Sequence, residues 1–289
     1  MPIAFAKSKI LSLIHLLANK VPARQKAVFF GVLFLLFWEY LAKSPSLKTQ
    51  TLLLYTVLAT FFLLASVFWV RRHRVSEIFS KYFFQTFDYL VVPVLLLWST
   101  TAFIALNISQ PLEQAIIGLS SFFLIIALST LNIDKRGSLV AYNIFIVTTF
   151  FTAWLAFWVS FALGLYTSIP TQAYVFIIGL TSLLLFHQLF HFLAKGEEKS
   201  VLGLPSFSFW IYALTFTAVI LEAATALTFW PALPYVLALV LLLVFYLLWE
   251  ITWHYFLGKL TKKIILEYAI IIGVIALVLV RAIRWFPTV

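Results

Sequence analysis

Five histidines and ten carboxylates are the groups in this 289-residue chain able to do acid–base or metal chemistry near neutral pH, and there is no cysteine beside them. That absence excludes disulfide frameworks, thiolate metal sites, cysteine nucleophiles and CxxCH haem attachment. Four of the groups draw notice by their spacing. His187 and His191 are four residues apart, and so are Glu250 and His254. On a helix that spacing puts both members of a pair on one face. Imidazole and carboxylate suit zinc or iron, and two such pairs on facing helices supply four ligands. A non-covalent haem held between His187 and His254 is a variant of the same idea. Glu267 would orient a ligand from behind or move a proton.

Three readings of this cluster stay open. The histidines can belong to an interfacial aromatic belt with Trp249, Trp253 and Tyr255. They can form a metal site, catalytic or structural. They can also mark a route for protons or cations, because histidine titrates near neutrality.

Glu222 is a separate case. It stands in Leu221-Glu222-Ala223-Ala224-Thr225, inside an apolar run, with no basic residue on the same helix to pair with. In a bilayer such a group must be neutral and hydrogen-bonded, with Thr225 or Asn143 as expected partners, or it must face a polar cavity. The remaining carboxylates have simpler roles. Glu39 precedes Lys43 by four residues, a helical ion pair, and Glu113 is placed to favour the start of a helix. The chain has no GxxxxGK[ST], GxGxxG, HExxH or GxSxG. Five histidines, with His15 and His73 outside the apolar runs, are too few for a multi-histidine di-iron centre.

The elements that must hold these residues follow from composition. The chain is 64% hydrophobic and 10% charged, against about 45–50% and about 25% in a soluble domain. It belongs in a lipid bilayer. The net charge of +10 does not mark a nucleic-acid surface, because the Lys and Arg lie outside the apolar runs or at their ends. Crossing a bilayer takes roughly 20 helical residues. Nine runs are read as spans: 27–42, 49–70, 87–107, 112–131, 139–166, 171–194, 208–230, 233–257 and 264–284. None alternates in polarity as a barrel strand would, so the fold class is all-α, a polytopic transmembrane helical bundle.

With nine spans, sixteen of the twenty Lys and Arg fall on one side and only Lys43, Lys48, Arg281 and Arg284 on the other. The positive-inside rule then puts the N-terminus in the cytoplasm and the C-terminus outside. At 1.5 Å per residue, His187 and Glu250 lie about 10 Å below the cytoplasmic ends of their helices, and His191, His254 and Glu267 about 5 Å. Residues 1–26 read as an amphipathic helix on the cytoplasmic surface, against anionic lipids, not as a cleaved signal. Residues 27–289 form a single transmembrane domain.

The chain also repeats itself. Ile116-Ile117-Gly118-Leu119-Ser120-Ser121 returns as Ile177-Ile178-Gly179-Leu180-Thr181-Ser182, and Leu185-Phe186-His187 as Leu248-Trp249-Glu250. A tandem hairpin of about 60 residues accounts for both, with Gly118 and Gly179 as sites of close helix contact. The reading of function is an integral membrane protein of the cell membrane without an extramembrane domain. It is either a transporter or channel or a subunit of a membrane complex, with lipids and membrane proteins as partners and no nucleic acid. The alternative is a metal- or haem-binding enzyme acting on a lipophilic substrate at the cytoplasmic leaflet. The substrate, and any reaction, are not written in these residues.

Overall fold

A computed structural model of the protein describes residues 23–44, 49–71, 83–106, 110–130, 139–196, 206–256 and 258–282. These form nine α-helices and no strand among the described residues: α1 (Ala23–Ala42), α2 (Thr49–Arg71), α3 (Phe83–Ala105), α4 (Gln110–Thr130), α5 (Leu139–Tyr166), α6 (Thr171–Gly196), α7 (Ser206–Thr228), α8 (Pro234–Phe256) and α9 (Lys262–Ala282). Six of them, α1 and α4 to α8, are long and apolar enough to cross a membrane; α2 and α3 carry shorter apolar stretches, Thr51–Val67 and Leu90–Ala105.

Each helix overlaps one of the expected apolar runs, and the ends differ for local reasons. α1 starts at Ala23, four residues early, because Arg24, Gln25 and Lys26 are good helix formers and continue the helix beyond the apolar run. Lys26 is then buried, at 1% exposure, rather than lying on a surface. The rest of the expected surface helix, residues 1–22, lies outside the described residues. α3 runs straight through Pro93, which has no N–H to offer the Tyr89 carbonyl one turn back. α8 opens on Pro234, where a missing N–H costs nothing.

The chain divides into two compact units, Met1–Lys135 with Val140–Phe145, and Arg136–Leu139 with Ile146–Val289. In the first, α1 packs against α2, α3 and α4, and α3 packs against α2 and α4. Phe30 and Phe34 of α1 meet Phe62 of α2 edge-on at 5.4 and tilted at 5.9 Å. Trp38 is fully buried and donates its indole N–H to Thr101 Oγ1 at 3.3 Å. The Thr100 and Ser120 hydroxyls join α3 to α4 at 2.8 Å.

In the second unit α6 pairs with α7, α7 with α8, and α8 with α9. Its core is aromatic. Phe186 of α6 stacks on Phe245 of α8 at 4.1 Å and meets Phe216 of α7 at 5.3 Å. Phe190 reaches Phe209, Tyr212, Trp249 and Phe256 within 6.4 Å. Phe150 and Phe157 bring α5 onto the same Phe245. Offset and edge-on ring pairs each add about 0.5–1.5 kcal/mol beyond the area they bury, so this cluster fixes how α6, α7 and α8 are rotated.

The two glycines of the repeated hexapeptide are not equivalent. A Cβ built on Gly179 would come within 2.6 Å of Leu221 Cδ2, so α7 rests against the bare backbone of α6 there. A Cβ on Gly118 meets nothing within 4 Å. Close contact therefore holds at Gly179 and not at Gly118. The local bond does recur: Ser121 donates to Ile117 O and Ser182 to Ile178 O, both at 2.8 Å.

Candidate functional site

The first pair of histidines belongs to the α6–α7 contact. Packing of Phe186 and Phe190 into the aromatic core leaves His187 on the flank of α6, half-buried, where its ring lies over Trp210 of α7 at 3.9 Å with the planes 32° apart. His191 follows one turn later, its ring parallel to that of His187 within 11° at 6.2 Å.

The second pair belongs to the α8–α9 contact. Here the C-terminus of α8 is built as a Schellman turn: Gly258 N–H bonds Tyr255 O at 3.0 Å and Lys259 N–H bonds His254 O at 2.9 Å. This closure needs the left-handed backbone of Gly258, φ 64°. It turns the chain into α9 and sets Tyr268 against the last turns of α8. The Tyr268 hydroxyl donates to Glu250 Oε2 at 3.4 Å, and the Tyr268 and His254 rings meet edge-on at 6.0 Å. His254 Nδ1 lies 2.9 Å from the Glu250 backbone carbonyl and 3.5 Å from Glu250 Oε2. A carbonyl only accepts, so Nδ1 is the donor in that contact. Tyr246, one turn before Glu250, stands close to both Glu250 and Tyr268. The result is a half-buried cluster of one carboxylate, one imidazole and two phenols.

The two pairs therefore face different neighbours, Trp210 of α7 and Tyr268 of α9. Among the described residues no three of His, Cys, Asp and Glu come together as a group able to hold a metal. The expected four-ligand convergence is not formed, because the aromatic core fixes the rotation of α6 and α8 and places the pairs on separate contacts. Glu267 is exposed and lies 3.9 Å from Lys263, a solvent-side i,i+4 pair, rather than behind the cluster. Trp249 is no belt residue: at 1% exposure it is core, stacked on Trp253 at 6.0 Å.

Glu222 and Asn143 are both exposed, and among the described residues neither makes a hydrogen bond or ion pair. The expected bond to Thr225 is not made; that hydroxyl donates to Leu221 O at 2.7 Å. Glu39 pairs with Lys43 at 3.6 Å as its spacing implies, and accepts a long bond from Gln114 at 3.5 Å. Glu113 is buried in the first turn of α4, at 5% exposure, and not solvated.

One polar residue escaped the sequence reading. Gln188 is 2% exposed, and its Oε1 has no hydrogen-bond partner among the described residues. Thr217 Oγ1 on α7 is in the same state. The signal for Gln188 was present, an amide inside the apolar run of α6, but a search confined to ionisable groups passes over it.

A chain whose described residues are all-helical, with six helices of membrane-crossing length and apolarity, is by make-up a membrane-embedded helical protein. More particularly, the chain belongs to the DUF5656 family, proteins of unknown function, which it matches over residues 47–282. The match opens two residues before α2 and closes with the last residue of α9. No curated protein and no solved structure matches the chain.

Proposed function

We propose that the protein is a multi-pass integral membrane protein of the cell membrane that works as a subunit of a membrane complex. One observation carries this reading. Glu222, close to the middle of α7, is exposed, and among the described residues it makes no hydrogen bond or ion pair. A bare carboxyl facing lipid costs several kcal/mol, so intramembrane ionisable residues pair or line wet cavities. The helix that bears it is also the least covered of the six membrane-length helices: 28% of Phe209–Thr228 is buried, against 67% of Asn143–Tyr166. A carboxyl on an open helix face is completed by a neighbouring protein.

Two other readings have less support. A transporter or channel needs polar groups turned into a shared path. The buried hydroxyls of Thr100, Thr101, Ser121, Thr152, Ser160 and Ser182 instead donate to carbonyls of their own helices. A metal or haem enzyme would draw on His187, His191, Glu250 and His254, which stand as two pairs. The test is the mass of the protein extracted from its own membranes in mild detergent. Assembly predicts a particle heavier than one 33.1 kDa chain. A monodisperse single chain removes the reading.

A further inference from the structure

The outer face of α7 has a pattern as well as a carboxyl. Ile211, Thr215, Ala218, Glu222 and Thr225 follow one another at intervals of four, three, four and three, and every one of them is exposed. That is the a/d spacing of a helix-packing seam with a left-handed crossing. Thr215 and Thr225 donate their hydroxyls to Ile211 O at 2.9 Å and Leu221 O at 2.7 Å, so they present methyl groups outward. Ala218 between them keeps the seam shallow. Glu222 is its single polar layer, about 5 Å from the middle of Phe209–Thr228 at 1.5 Å per residue.

From this we infer that the partner on α7 is a second copy of the same chain. The inference rests on the assembly reading and names its occupant. Two copies inserted with the same orientation are related by a two-fold axis along the membrane normal, and such an axis sets each residue of α7 opposite itself. Ala218 meets Ala218, Thr225 meets Thr225, and the small layers let the backbones approach. Glu222 meets Glu222. A neutral carboxyl has one donor and one acceptor, so two of them satisfy each other through a pair of O–H···O bonds. Few side chains are complementary to themselves in this way. The pairing needs no cation at that depth, and the chain has none: its Lys and Arg stand outside the apolar runs or at their ends. A single polar a-position in an apolar seam also fixes register, as a buried polar residue does in coiled coils.

Because the natural chain has no cysteine, one introduced thiol reports the geometry cleanly. Full-length Ala218→Cys in native membranes, treated with a mild oxidant, should give a disulfide-linked species of twice the chain mass. Leu239→Cys, on the exposed face of α8, should give at least several-fold less. Adding Glu222→Leu to Ala218→Cys should lower the cross-linked fraction several-fold, and Glu222→Gln, whose amide also pairs with itself, should retain it. Equal cross-linking at 218 and 239, or none at either, overturns the two-fold pairing. A disulfide- or reagent-linked product at 218 that contains a different chain overturns it too, while leaving the assembly reading standing. A single-chain particle in the mass measurement removes both.

Discussion

Gln188 carries an amide oxygen that is buried and, among the described residues, unbonded, a state that costs roughly 1–3 kcal/mol. Gln188→Leu preserves most of the volume and removes the orphaned acceptor. Its melting temperature in detergent should therefore rise, by about the equivalent of 1 kcal/mol. A fall would mean that the amide is bound in the working protein by something that leucine cannot replace. At this scale the sequence is informative where the relation is local. Glu39 with Lys43, and Glu250 with His254, are i,i+4 pairs and form as spaced. It is uninformative where the relation crosses helices. Whether His187 faces Glu250 depends on how two helices are rotated about their own axes. α6 and α8 are apolar nearly all round, so no polar stripe records that rotation. The partners that the groups do find, Trp210 and Tyr268, are residues whose spacing carries no signal.

At the scale of the element, the helices were legible to within four residues at either end, since most begin and end close to an apolar run, and six of them are long and apolar enough to cross a membrane. The packing of the spans was not. The same hexapeptide supplies a contact glycine in α6 and an open one in α4, so sequence likeness did not predict likeness of environment. This gives a paired prediction. Gly179→Ala forces Leu221 aside and should destabilise the α6–α7 pair by about 1–3 kcal/mol. Gly118→Ala meets no neighbour and should stabilise α4 by up to about 1 kcal/mol through helix propensity alone. Unfolding of the two variants in mixed micelles compares them directly. Equal effects of one sign would contradict the asymmetry of the two sites.

For the whole molecule, the prediction concerns sidedness. The proposed nine crossings, with sixteen basic residues on one face, put the two ends of the chain on opposite sides of the membrane. A reporter active only in the cytoplasm should work when fused before Met1 and fail when fused after Val289, and a reporter active only outside should do the reverse. Both ends on one side would mean an even number of crossings. α2 and α3, with the shorter apolar stretches, are then the helices to suspect. All-α membrane architecture was written in the composition. The division into two units was not, because the 139–166 run is uniformly apolar across the boundary at residues 145 and 146.

The inward-turned hydroxyls of Thr56, Thr152, Ser160 and Thr252, each bonded to the carbonyl four residues before it, bear on how the chain is made. A rod that closes its own polar groups can leave the translocon and rest in lipid before any neighbour arrives. Most of these helices can therefore enter the bilayer one by one and find their order afterwards. Among the described residues α7 is the exception, since its carboxyl has no such closure; on the proposed pairing, its maturation waits on an encounter between finished chains.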